Sequence, residues 1–353
     1  MNSIKDIKIL RGRGARQNID HRFTQRSLVT DPAEAETAPH PDTQITPIRA
    51  RSIITRNRSP DVGFDLSVNP YQGCEHGCVY CFARPTHAYH DLSPGLDFET
   101  RILAKTNAVE LLRKELSAPS YRCKPIAIGV NTDAYQPAER RLEITRGLLE
   151  ACLEFRQPVV LITKSSLILR DLELLGDLAA LGLVRTSVSV TTLDAELKRR
   201  LEPRTAGPAA RLNVIAKLAG AGVPVSAMVA PVIPRINDHE IEHILQAVAE
   251  RGARSASYVL LRLPWEVEPL FRDWLAAHYS DRADAVMRAV ASCRGGKAYD
   301  STFHKRMRGE GLIADMIARR FRLARRRHGL DGDSPALRTD LFRRAADRQL
   351  ALL

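Results

Sequence analysis

At 353 residues with 44 % apolar side chains, the chain has material for one large domain or two of ordinary size. It holds no run of the roughly 20 apolar residues that a membrane helix needs, and Met1-Asn2-Ser3-Ile4-Lys5-Asp6 lacks the apolar stretch of a secretory signal, so a cytoplasmic protein with no membrane contact is expected. The formal net charge of +12 suits a polyanionic partner such as a nucleic acid.

Residues 1–58 read as a poorly ordered, disordered N-terminal arm. Arg11-Gly12-Arg13-Gly14 is basic and glycine-rich, and Asp31–Pro47 has almost no large apolar residue. Regular patterning begins near residue 64. Phe64–Val68 reads as a strand and Phe98–Leu116 as a helix. Ile126–Val130 is a strand followed by a helix over Ala138–Phe155. Val159–Thr163 and Leu169–Leu181 repeat the pair, then Arg185–Val190 with helical Asp194–Leu201 and Ala209–Ala219. Val223–Ala230 leads into Asp238–Arg251, and Ser257–Leu261 into Pro264–His278. Gly220, Gly222 and Gly252 stand where helices should end.

Six β–α repeats predict an α/β fold with a parallel sheet. Six strands cannot close an eight-stranded barrel. They fit a partial (β/α)6 TIM-like barrel of parallel strands, or a doubly wound sheet. In both, chemistry belongs at the carboxyl ends of the strands. The core is placed at 59–292, and 293–353 reads as a basic helical C-terminal extension. There Ile313, Met316, Ile317, Phe321 and Ala324 make an apolar stripe, while Arg319, Arg320, Arg322, Arg325, Arg326 and Arg327 occupy other faces. That Arg-rich helix is the expected contact with nucleic acid.

Three of the six cysteines cluster in Gly73-Cys74-Glu75-His76-Gly77-Cys78-Val79-Tyr80-Cys81-Phe82, spaced C-x3-C-x2-C. Three thiolates this close in sequence can hold three irons of one cubane, and Gly73 and Gly77 permit the tight turns. Electron-transfer clusters usually have four cysteine ligands; with no fourth nearby, one iron stays open to an exogenous ligand. A zinc site would want four ligands, usually in pairs, with His76, His87 or His90 completing it. Of the other cysteines, Cys152 falls in an apolar helical run, Cys123 lies before the second strand, and Cys293, beside Gly295-Gly296, is expected near the surface.

The trio, with aromatic Tyr80 before its last cysteine, resembles the cluster motif of radical S-adenosylmethionine (radical SAM) enzymes. Over residues 60–290 the chain is most similar to the spore photoproduct lyase-like, or DNA repair photolyase-like, branch. The matching stretches are Asn69-Pro70-Tyr71-Gln72-Gly73-Cys74, Tyr80-Cys81-Phe82-Ala83-Arg84, Asn131-Thr132-Asp133-Ala134-Tyr135-Gln136-Pro137, Ile162-Thr163-Lys164-Ser165 and Ala230-Pro231-Val232-Ile233-Pro234. The resemblance implies a [4Fe–4S] cluster on Cys74, Cys78 and Cys81, with S-adenosyl-L-methionine as co-substrate. It also implies reductive cleavage to a 5′-deoxyadenosyl radical, hydrogen abstraction from substrate, and an electron donor such as flavodoxin or ferredoxin. It does not extend to the cysteine that photoproduct lyases carry at the end of the second strand, because Gly129-Val130-Asn131-Thr132-Asp133 has none.

Further cofactor contacts are expected at strand ends. By resemblance, Asn131, Thr132 and Asp133 meet the amino group of S-adenosylmethionine; the alternative is a turn that starts the next helix. Lys164, ending the third strand, is placed to pair with its carboxylate. Ser187, Ser189 and Thr191 alternate onto one face of the fourth strand, with Ser189 the expected ribose contact. Arg204, after Glu202, could fork onto a carboxylate or phosphate, or form a surface ion pair. Tyr80 is expected near the adenine. Two other readings are modification of a protein, peptide or metabolite, and a non-enzymatic iron–sulfur or zinc nucleic-acid-binding module.

Overall fold

The computed structural model describes residues 9–24, 42–332 and 335–344. Ten strands are present among them: β1 (Gln44–Ile48), β2 (Ile54–Arg56), β3 (Leu66–Val68), β4 (Tyr71–Gln72), β5 (Arg101–Lys105), β6 (Ile126–Ile128), β7 (Val159–Thr163), β8 (Val184–Ser189), β9 (Val225–Val232) and β10 (Ser255–Leu260). The main sheet runs β10-β9-β8-β7-β6-β3-β2. Every neighbouring pair from β3 to β10 is parallel, and β2 closes one edge antiparallel to β3. The six parallel strands lie in chain order. Each crossover steps to the adjacent strand and none reverses, as in a segment of a barrel and unlike the doubly wound alternative.

Crossover helices follow from amphipathic runs. Ile144–Phe155 buries Leu148, Leu149, Ala151, Cys152 and Phe155 against the sheet, and Ile241–Glu250 buries Ile244, Leu245 and Val248. The central strand β6 is apolar on both faces, with Ile126, Ala127 and Ile128 all buried. Gly222 and Gly252 take φ of 74° and 91° just past their helices, the left-handed caps expected of them. Gly220 instead ends the helix Pro208–Gly220.

Three expectations are corrected. Phe98–Leu116 is not one helix: a turn over Asp97–Thr100 gives way to β5, and the helix proper is Ala108–Ser117. Alternate burial of Ile102 and Ala104 suits a strand, and β5 pairs with β1 in parallel and β4 antiparallel. The N-terminal arm, where described, is ordered. It supplies β1 and β2 and buries Ile53, and residues 13–15 pack on the cysteine loop. Most of the Asp31–Pro47 stretch lies outside the described residues. Finally, Cys293 is buried beneath the C-terminal helices.

The C-terminal helix Leu312–Arg327 docks through Ala314, Ile317, Phe321 and Ala324, with Phe321 4.7 Å from the Tyr258 ring of β10. Met316, assigned to that stripe from spacing, is exposed. No described helix is long and apolar enough to cross a membrane.

Candidate functional site

Parallel strands bring all their carboxyl ends to one edge, so residues distant in sequence meet there. The cysteine loop follows β4. Gly73 and Gly77 both have positive φ, 79° and 68°. A Cβ at Gly77 would lie 2.7 Å from Glu99 Oε2, and at Gly73 2.9 Å from the His87 ring, so the loop is shaped around missing side chains. Its backbone is anchored outward. The Cys74 N–H donates to Phe98 O at 2.8 Å and the Val79 N–H to Leu201 O at 3.1 Å. Thr132 Oγ1 and Gln136 Nε2 both donate to Gly73 O, at 2.7 and 3.2 Å. Cys74 and Cys78 are buried and Cys81 is half-buried.

Buried thiols resist ionising without a cation. Burial, then the Glu202 carboxylate, pushes the Cys78 thiol well up, with the Lys164 ammonium opposing. Burial and then the neighbouring Cys74 raise Cys81, again against Lys164. The donor set therefore awaits positive charge. Bound iron would supply it and deprotonate the ligating thiols. Among the described residues no three His, Cys, Asp or Glu side chains are arranged to hold one metal ion. A cubane suits the trio better, because it spreads its cysteine ligands over separate irons.

Lys164 ends β7. Its ammonium makes no hydrogen bond or ion pair among the described residues, and it lies 6.0 Å from the Tyr80 ring centroid. Tyr80 is buried, and its hydroxyl donates to Glu202. Glu202 is a buried hub that also accepts from Arg211 and, at 2.7 Å, from Thr191. Burial alone would raise its carboxyl; Arg211 and then Lys164 bring it down to about 2.

Asp133 and Thr132 are committed to the protein. Asp133 accepts the N–H groups of Lys164 and Tyr135 at 2.8 and 2.9 Å and the Thr163 hydroxyl at 2.8 Å. It also pairs with His76 Nδ1 at 3.3 Å. Burial opposes its ionisation, yet His76 and those donors hold the carboxyl at about 2. In turn, burial would lower His76, but Asp133 and the Cys74 sulfur raise it to about 10. The Asx-turn alternative thus describes the Asp133 side chain. Asn131 is half-buried, with its N–H on Asn69 Oδ1 at 2.8 Å. Ser189 is buried, and its hydroxyl makes no hydrogen bond among the described residues; its carbonyl accepts from Arg211 at 3.0 Å. Arg204 forms a half-buried ion pair with Glu75 at 3.3 Å. With His76, Ser165, Arg140 and Arg170 it lines a cleft of about 390 Å³, to which no cysteine contributes.

One group escaped the sequence. Glu99, fully buried, pairs with buried Arg84 and accepts the N–H groups of Gly14 and Ala15 at 2.9 and 2.8 Å. Arg84 Nε donates to Cys78 O at 2.9 Å. A Cβ at Gly14 would sit 1.7 Å from Gly77 O. The Arg-Gly repeat is therefore a strap laid directly on the cysteine loop. Its only signal in the sequence is Gly14 itself, whose need for close backbone approach shows in three dimensions alone.

The Radical SAM superfamily model matches residues 68–248. An uncharacterized protein of Mycobacterium tuberculosis is 37 % identical over 263 residues, covering 74 % of this chain and 76 % of its own. One from Methanocaldococcus jannaschii is 23 % identical over 249 residues, covering 70 % and 88 %. Among solved structures, spore photoproduct lyase complexed with dinucleoside spore photoproduct superposes with a TM-score of 0.55 at 16 % identity, covering 80 % of this chain and 78 % of that one. A variant of that enzyme with bound AdoMet superposes equally well, at 0.55 and 16 %. That identity speaks to fold alone, but the family match spans the cysteine loop, β6, β7 and β8. With three cysteines gathered in one loop at the carboxyl edge of six sequential parallel strands, the chain belongs to the radical SAM superfamily and is an enzyme.

Proposed function

We propose that the chain holds a [4Fe–4S] cluster on Cys74, Cys78 and Cys81, cleaves S-adenosylmethionine reductively, and acts on a nucleic acid. When bound, the cluster supplies the electron and S-adenosylmethionine the 5′-deoxyadenosyl radical that abstracts hydrogen. The observation that carries this reading is the Lys164 ammonium, which lies 6.0 Å from the Tyr80 ring centroid and makes no hydrogen bond or ion pair among the described residues. Lys164 would bind the cofactor carboxylate, and Tyr80 would pack on its adenine. Asp133 acts indirectly, fixing the Lys164 backbone and His76. Burial around Glu202 and Tyr80 keeps water from the site. An electron donor such as flavodoxin or ferredoxin would feed it.

Reduced with dithionite and given S-adenosylmethionine, reconstituted protein should release 5′-deoxyadenosine on chromatography. Lys164→Met should bind the cofactor roughly tenfold more weakly, the scale of one lost charge-assisted contact, with unchanged iron content. Normal cofactor binding by that variant would overturn the assignment of Lys164; absence of 5′-deoxyadenosine in the parent protein would overturn the reading.

Nucleic acid is favoured by the charge and its placement. On the docked C-terminal helix, Arg320 is tied to Glu242, but Arg319, Arg322, Arg326 and Arg327 are exposed. Arginines that neutralise phosphates release counterions, so affinity should fall steeply with added salt. Substituting Arg319, Arg322 and Arg326 with Gln should lower both oligonucleotide affinity and the salt slope. The buried stripe should keep the helix in place, checked by circular dichroism. An unchanged slope would assign the charge to solvation alone.

A further inference from the structure

Only 5 % of the chain is aromatic, yet four of its rings lie exposed around the cysteine side of the fold. Phe82 is 45 % exposed, Phe23 51 %, Trp265 63 % and Tyr89 69 %. They come from separate segments. Phe82 follows Cys81, Tyr89 is on the helical turn Arg84–His90, Trp265 lies in the loop after β10, and Phe23 belongs to the N-terminal arm.

Three of the rings surround one guanidinium. Arg22 lies 4.6 Å from the Phe23 centroid, 5.2 Å from Tyr89 and 4.8 Å from Trp265. Arg22 is held in place by both oxygens of buried Glu266 at 3.1 Å and by Pro85 O at 3.3 Å. The fourth ring, Phe82, lies 5.3 Å from Arg262. Arg262 makes no ion pair among the described residues. It reaches the Tyr299 hydroxyl at 3.4 Å and Met307 sulfur at 3.5 Å, and its Nε is buried without a partner. Trp265 has φ of 45°, a conformation rare for a bulky residue and kept only where surroundings impose it. Its ring is mostly in solvent, so core packing does not account for the strain.

We propose that Phe23, Phe82, Tyr89 and Trp265, with Arg22 and Arg262, form a stacking platform for unpaired bases of a nucleic-acid strand entering the site. This rests on the nucleic-acid reading above and specifies its recognition. Every base has a π-face, and single strands are bound by stacking on aromatic rings and guanidinium planes beside positive charge. In a duplex those faces are hidden, so a base must be unstacked before it can be received. Arg262, with no carboxylate partner among the described residues, suits a phosphate.

The test uses the full-length reconstituted protein and a fluorescein-labelled oligothymidylate, with a labelled duplex of equal length, read by anisotropy at low salt. The parent should prefer the single strand. Trp265→Ala combined with Tyr89→Ala should weaken single-strand binding about tenfold or more, since each lost stack costs that order. It should leave duplex binding nearly unchanged, so the preference disappears. Trp265→Phe, keeping a ring, should retain most of the affinity. Cluster absorbance and thermal melting check that the variants fold. If the parent binds the strand and the double variant binds it equally, the platform is wrong while the nucleic-acid reading stands. If the parent binds neither probe, both fall. If sedimentation shows a dimer that the double variant dissociates, with strand affinity unchanged, the face is for self-association and the platform is again overturned.

Discussion

Replacing any one of Cys74, Cys78 or Cys81 with Ala should leave anaerobically reconstituted protein without a stable cluster, where the parent should carry about four iron and four sulfide per chain. The reason is positional. The loop's turns, its anchors at Phe98 and Leu201, and the contacts on Gly73 O fix the cysteine backbone. Neither Cys152 nor Cys293 can substitute. Cys152 is buried in the helix Ile144–Phe155, and Cys293 lies under the C-terminal helices. Their own replacement by Ala should therefore leave loading intact, at the modest cost of a small core cavity. Iron and sulfide assays with the visible absorbance spectrum decide it. Full loading of a Cys78→Ala protein, or stoichiometric zinc with no iron–sulfur absorbance in the parent, would refute the site.

The second large effect concerns Glu99. Its carboxylate answers buried Arg84 and two backbone N–H groups of the strap together. Glu99→Gln leaves the Arg84 charge uncompensated, and removing one partner of a buried pair costs about 3–5 kcal/mol. For a chain of this size that lowers the melting temperature by roughly 5 °C. The exposed pair Arg146–Glu150, at 3.2 Å, sets the scale for comparison. Glu150→Gln should change stability by less than about 1 kcal/mol. Because Arg84 also holds Cys78 O, the Glu99 variant should lose its cluster to a chelator faster than the parent. Gly14→Ala should do the same by a different route, pushing the strap off Gly77. Equal melting and equal chelation rates in Glu99→Gln would show the strap to be incidental.

What could be read in advance was local. The C-x3-C-x2-C spacing, the period-two strands and the glycine caps are written within a few residues of one another, and they located the sheet, the strand ends and Lys164. What could not be read was non-local. β5 looks helical because Ile102, Leu103 and Ala104 satisfy either period; only pairing with β1, 57 residues earlier at Gln44↔Arg101, makes it a strand. The arm looked structureless because it is held largely by distant partners, hydrogen bonds from residues 14 and 15 to Glu99 and the pairing of β1 with β5 and β2 with β3, with little apolar burial of its own. Asp133 was assigned to the cofactor because its residue type suits either role, and only the four groups converging on it show that the protein uses it first.

The outer margin of β10 has a bearing on how the chain tolerates trimming. An open sheet leaves its last strand with a row of unpaired backbone groups, a template for joining another molecule. Here the segment after the C-terminal helix folds back over that margin. Ala256 donates to Leu330 O at 3.2 Å, and Ser255 bridges Asp331. Leu330 is itself fully buried. A chain cut before residue 330 would bare β10 and its apolar flank, leaving an open edge for edge-to-edge aggregation. The segment at Leu330 and Asp331 thus acts as a guard against association at this edge.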